Sequence, residues 1–151
     1  MDESTWILAS VTSTRDLAEI VARRAQFGDV IGLKGEVGVG KTTFARYFIS
    51  ARGGGEEVPS PTFSLVQTYA VGCGLIWHFD LYRIKTVDEV HELGIEDAFA
   101  EGISLIEWPE RMTGHLPRDW LEIMFTWELG TPIRRASMVG HGGWCERLSN
   151  L

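Results

Sequence analysis

The chain has 151 residues, with 14 Lys and Arg against 21 Asp and Glu and a formal net charge of −7 at pH 7. That length suits a single domain, 1–151, with a sizeable core, and 44% hydrophobic with 23% charged residues excludes a globally disordered chain. The acidic balance disfavours a free-standing nucleic-acid binder, because phosphate contacts need clustered Lys and Arg, although it leaves room for a local basic patch.

Taken in order, Trp6–Ala9 reads as a short edge strand. Ser13 offers an N-cap with Asp16 at the capping-box position, and Leu17, Ile20 and Val21 carry helical spacing from Thr14 to Gln26, where Gly28–Asp29 ends the helix. Asp29–Lys34 is an apolar run of strand length. A Gly-rich turn from Gly35 to Gly40 leads into a helix over Thr42–Ala51, followed by a loop from Arg52 to Glu57. Thr62–Val71 alternates as a strand, and the turn Gly72-Cys73-Gly74 predicts antiparallel pairing with Leu75–Asp80. Thr86–Leu93 and Ile95–Ala100 read as short helices broken at Gly94. Ile103–Glu107 is a further strand, Leu121–Trp127 and Pro132–Val139 a hairpin through Gly130, and Gly142–Asn150 a closing helix.

Helices and strands alternate early and strands dominate later. The expected fold is therefore α/β: a mixed, mostly parallel sheet flanked by helices, with antiparallel edge strands. No apolar run approaches the ~18 residues of a membrane span, and no signal-peptide pattern opens the chain. The expectation is a cytoplasmic protein without a membrane partner. Two cysteines, Cys73 and Cys145, are too few for a disulfide scaffold and are expected as free thiols.

The strongest chemical signal is Gly35-Glu36-Val37-Gly38-Val39-Gly40-Lys41-Thr42, which matches G-x-x-x-x-G-K-[ST] between a predicted strand and a predicted helix. Glycines let several amides turn toward one anion, and the following helix adds its positive end. Lys41 can reach β- and γ-phosphates, the Thr42 hydroxyl can ligate Mg²⁺, and Thr43 can reach the α-phosphate. Asp80 ends an apolar strand, as a Walker B acid does, and can reach the metal; capping of the next turn is the alternative. Glu107 repeats the pattern and reads equally as a metal or water-orienting carboxylate or as a solvated strand end. Pro109 is expected to hold Trp108 in extended geometry and to stop the strand, with Trp108 either covering the site or simply half-buried. Thr62, after Ser60-Pro61, is placed as a switch loop would place a γ-phosphate sensor, or as turn chemistry. The four histidines, 78, 91, 115 and 141, show no metal spacing and are expected as structural or surface residues.

A guanine-reading N-K-x-D element is excluded, since the only Asn is Asn150. No Gly follows Asp80 where a D-x-x-G switch needs one, so ATP is favoured by elimination. A small-molecule kinase and a nucleotide-gated binding module without turnover remain alternatives on this scaffold.

The blocks Gly35–Thr43, Ser60-Pro61-Thr62-Phe63-Ser64-Leu65-Val66, His78-Phe79-Asp80-Leu81-Tyr82-Arg83, Glu92-Leu93-Gly94-Ile95-Glu96-Asp97 and Leu105-Ile106-Glu107-Trp108-Pro109-Glu110 occur in this order. Their succession resembles the TsaE (YjeE) family of bacterial ATPases, over about residues 10–110. The resemblance implies a P-loop ATPase that binds the TsaD–TsaB heterodimer. In that role it supports threonylcarbamoyl transfer to adenosine 37 of tRNA without making the bond itself, and meets tRNA only through the complex. It further implies that Lys41, Asp80, Glu107 and Thr62 serve catalysis and that Thr42, Asp80 and Glu107 hold Mg²⁺. Trp108 would lie at the site mouth. Ser10–Thr14 and Gly130–Arg135 would help cradle the nucleotide, with Val11 and Thr131 as their contact residues. Glu36 stands where many members carry Asp, and no family residues are matched to the tail after Val139, so no role is inferred for it. Arg83 is the candidate arginine within the chain, and a partner-supplied arginine is the alternative.

Overall fold

The computed structural model describes residues 3–54 and 65–151. Among these, seven strands and five α-helices alternate: β1 (Glu3–Leu8), α1 (Val11–Arg24), β2 (Val30–Lys34), α2 (Lys41–Ala51), β3 (Val66–Val71), β4 (Gly74–Asp80), α3 (Val87–Glu92), α4 (Ile95–Glu101), β5 (Ile103–Glu107), β6 (Trp120–Trp127), β7 (Arg134–His141) and α5 (Trp144–Ser149), with a 3-10 turn at Pro109–Met112 after β5. The strands form one sheet in the order β1-β7-β6-β2-β5-β4-β3. Its middle, β6-β2-β5-β4, is parallel, while β3 on one side and β7 with β1 on the other run antiparallel. The expected α/β architecture with antiparallel edges is what the chain adopts.

The apolar runs explain the middle. Val30, Ile31 and Leu33 of β2 and all five residues of β5 are buried, as strands covered on both faces must be. One face carries the larger core, in which Phe44 and Phe48 of α2 pack with Leu17 of α1 and Ile31, Leu33 and Phe125 of the sheet. The Phe44 and Phe125 rings meet edge to face, 5.7 Å apart. The other face is closed by α3, α4 and the 3-10 turn over Phe79, Leu81 and Ile106. Both predicted cysteines are free thiols. Among the described residues no helix is long and apolar enough to cross a membrane.

Several local expectations are corrected. The N-cap of α1 is Ser10, not Ser13. The Ser10 hydroxyl oxygen accepts from the Ser13 amide at 3.4 Å, so the helix starts three residues early. Two serines compete there, and β1 decides between them, because its pairing with β7 ends at Leu8 opposite Arg134. Within the described residues β3 begins at Val66, and Thr62–Ser64 of the predicted strand lie outside them. The returning hairpin strand starts at Arg134 rather than Pro132. A turn bonded from Glu128 N to Ile133 O, with Gly130 at φ 75°, uses those residues. Trp108 is not extended: it lies in the left-handed region at φ 63°, although the strand does stop before it.

The tail without a counterpart in the resemblance is structural. Trp144 is fully buried, and the Arg147 guanidinium lies over its ring at 3.9 Å. The same guanidinium donates to both oxygens of Asp29 at 2.7 Å each, in the fork geometry that makes such pairs strong. α5 is thereby tied to the residue just before β2.

Candidate active site

Parallel strands deliver their C-terminal ends to one edge, where ligand crevices form in open α/β sheets. Here β2, β4 and β5 end together, with Asp80 opposite Glu107 and Glu107 opposite Leu33 in register. The Gly35–Gly40 turn joins β2 to α2 at that edge. Gly35 has φ 137°, and a Cβ there would stand 2.6 Å from the Phe125 carbonyl oxygen, so β6 forbids a side chain. Gly40, at φ 119°, is the N-cap of α2 and supplies no capping side chain. The amides that open α2 are therefore not claimed by a side chain, and they carry the positive end of the helix dipole.

Lys41 is 5% exposed. Its Nζ donates to the carbonyls of Gly35 and, at 3.1 Å, Glu36, and lies 4.1 Å from the centre of the Trp108 ring. Burial pushes the ammonium below the ordinary lysine range, and the carboxylates of Glu107, Asp80 and Glu110 counter part of that effect. The Thr42 hydroxyl stands 3.0 Å from both oxygens of Glu107 and donates to them. Glu107, 3% exposed, also accepts from His78 Nε2 at 2.7 Å.

Asp80 is half-buried and accepts from the Tyr82 amide at 3.1 Å. Its carboxyl is raised above the usual range, first by burial. The Tyr82 amide opposes the rise, Glu107 adds to it, and His78 and Lys41 lower it. A raised carboxyl contributes stability below its unfolded pKa that is lost as pH climbs through the folded value. Asp80→Asn keeps the Tyr82 hydrogen bond and removes that cost. It is expected to raise the melting temperature near neutral pH by about 2–4 °C, the shift ~1 kcal/mol gives at this chain length. The gain should shrink on acidification toward the ordinary Asp pKa; a melting temperature that falls at neutral pH would contradict it.

These groups line a cleft of about 320 Å³ formed by Val37, Gly38, Gly40, Lys41, Thr42, Thr43, Leu65, Asp80, Tyr82, Arg83, Glu107, Trp108 and Arg134. Gly35, Glu36 and Val39 line a neighbouring cavity instead, beyond Trp108, which borders both. Val11 is exposed at the first turn of α1, and Thr131 lies in the β6–β7 turn with its hydroxyl toward Glu128 O; neither lines the cleft. Thr62 lies outside the described residues. Arg83 and Arg134 join Lys41 as cations facing the carboxylates of Asp80 and Glu107, so a chain of net charge −7 gathers both signs in one cleft. Arg134 comes from the expected stretch and reaches the turn: a Cβ on Gly40 would meet its Nη1 at 3.3 Å.

Of the histidines, His91 and His115 are exposed and His141 bonds Glu122, but His78 is fully buried at the site. The signal for it was in the strand period: two residues before Asp80, it shares the face that carries the acid. Two carboxylates and a hydroxyl make an all-oxygen donor set, which suits a hard divalent cation completed by phosphate oxygens and water.

A family model described as "Threonylcarbamoyl adenosine biosynthesis protein TsaE" matches residues 8–135. The tRNA threonylcarbamoyladenosine biosynthesis protein TsaE of Rickettsia bellii is 39% identical over 82% of this chain and 86% of its own. The protein of that name from Bacillus subtilis is 34% identical over 99% of this chain and 96% of its own. A crystal structure of Bacillus subtilis YdiB superposes with a TM-score of 0.79 at 27% identity, covering 99% of this chain and 93% of that one. With a family model over residues 8–135, relatives matched over most of the chain and a superposing fold, the chain belongs to the TsaE family.

Proposed function

We propose that this chain binds Mg²⁺·ATP on the Gly35–Thr42 loop and hydrolyses it, serving tRNA threonylcarbamoyladenosine biosynthesis in the cytoplasm as an accessory ATPase of the TsaD–TsaB heterodimer. The observation that carries the reading is the convergence of Lys41, Thr42, Asp80 and Glu107 on one cleft at the ends of β2, β4 and β5. Lys41 would pair with the β- and γ-phosphates, and the amides of Gly38–Thr43 would receive phosphate oxygens. Thr42, Asp80 and Glu107 would hold Mg²⁺, whose chemistry there is neutralisation of the charge spread over the transferred phosphoryl group. Glu107 would orient the attacking water, and Trp108 would cover Lys41 at the mouth. The work of the protein is positioning and electrostatic complementarity rather than covalent chemistry.

Phosphate release with and without TsaD–TsaB tests the whole reading. Weak release by the chain alone, rising when the heterodimer is added, is expected, because transition-state charge in this class is commonly met by a partner's arginine. Turnover that is already full and indifferent to the partner would remove the accessory role. Phosphate appearing on an acceptor molecule would make the chain a kinase, and ATP binding with no release would make it a nucleotide-gated binding module.

A further inference from the structure

We propose that His78 is the positioning residue of this site: from outside the cleft it fixes the direction of the Glu107 carboxylate. The inference rests on the ATPase reading. β4 and β5 run parallel, so His78 stands opposite Leu105 and one strand period before the Asp80–Glu107 pair. The side chains of His78 and Glu107 meet inside the protein, 0% and 3% exposed as residues, with Nε2 2.7 Å from Oε2. Glu107 has two anchors, that contact and the Thr42 hydroxyl at 3.0 Å from each oxygen.

The two anchors differ in permanence. Thr42 lies at the start of α2 on the cleft, and a hydroxyl that offers its lone pairs to a cation shifts with that cation and the phosphate beside it. His78 does not line the cleft and has no competing partner there. Whatever the cleft holds, the His78 contact fixes one oxygen of a glutamate with three rotatable bonds and leaves the other turned toward Thr42 and the metal. The imidazole spends its one hydrogen bond among the described residues on this task, since its buried Nδ1 has no partner among them. A histidine kept merely to fill the core would satisfy both nitrogens or be replaced by an aliphatic residue of similar size.

Substitution separates the two roles. His78→Leu fills the space without a donor, whereas His78→Gln returns an N–H at the same number of bonds from the backbone. His78→Leu is expected to slow phosphate release by about 10–100-fold, the range typical when a ligand's supporting hydrogen bond is lost. Nucleotide affinity by calorimetry should stay near wild type, and His78→Gln should recover most of the rate. A second readout needs no turnover: in protein without added nucleotide, the His78 Nε2–H should give a slowly exchanging proton resonance that shifts in Glu107→Gln, where a neutral acceptor replaces the carboxylate. Wild-type rates in His78→Leu, equal slowing in His78→Gln, loss of rate that follows loss of affinity, or a freely exchanging proton would each overturn the inference. A wild-type chain that binds no ATP would instead overturn the proposed function, with the proton resonance showing whether the His78–Glu107 contact itself stands.

Discussion

Replacing Lys41 with Ala is expected to lower phosphate release by on the order of 10²–10³-fold, the loss that follows removal of one preorganised charge-stabilising donor. The folded state should survive. Lys41 is a buried cation whose ionised form burial already disfavours, and its bonds go to two carbonyls of its own loop, which water can serve in its absence. The melting temperature should therefore stay close to wild type while nucleotide-dependent behaviour disappears. The other cations on the cleft, Arg83 and Arg134, come from different elements and cannot take its place at the carbonyls of Gly35 and Glu36. The same environment sets an alkaline limit. Because the Lys41 pKa is lowered from 10.5, its charge is lost at a pH below that of an exposed lysine, and turnover should fall with it. Normal turnover in Lys41→Ala, measured with TsaD–TsaB present, would remove the loop from the mechanism.

Glu107→Gln is expected to reduce turnover by about 10²-fold, the lower end of what a positioned acid–base group contributes, with ATP affinity largely kept. Gln is the informative replacement. Glu107→Ala would strand the His78 Nε2 and the Thr42 hydroxyl inside the protein, at about 1–3 kcal/mol for each unsatisfied group, and would mix instability with catalysis. The Gln carbonyl can still accept from His78, so the fold is spared while the charge is removed. Single-turnover rates alongside calorimetric affinities make the test; equal loss of both would mark Glu107 as a binding or structural residue.

The elements that could be read from sequence are those whose signal is local. The apolar runs of β2 and β5, the G-x-x-x-x-G-K-T turn, the break at Gly94 and the short turn between β3 and β4 each encode their own geometry, and each is found where the pattern puts it. Strand order is not local. That β2 lies between β5 and β6 depends on partners some seventy and ninety residues downstream, and nothing in Val30–Lys34 names them. Trp108 shows the limit from the other side. Its proline neighbour disfavours helical backbone and points to an extended residue. The tertiary setting overrides that preference: the ring is held 4.9 Å from Tyr82 and beneath the Lys41 ammonium, which an extended residue continuing β5 would not reach. In the site, Lys41, Thr42, Asp80 and Glu107 were legible because each follows from a motif position or a strand end. His78 stands in a quoted motif block and on the face of Asp80, but its task was not legible, because it depends on the carboxylate that β5 brings to it. Arg134 was visible only as part of a stretch, since the hairpin register decides which of its residues faces the turn.

The contacts that Lys41 and Thr42 make within the chain have an energetic corollary. On the proposed function, incoming phosphate would exchange satisfied internal bonds for new ones, so its affinity would be the difference between two good arrangements and smaller than the gross attraction of the pocket. Departing product, equally, would leave behind a loop that can satisfy itself at once. Such a nest would suit repeated loading and discharge rather than permanent retention of its guest.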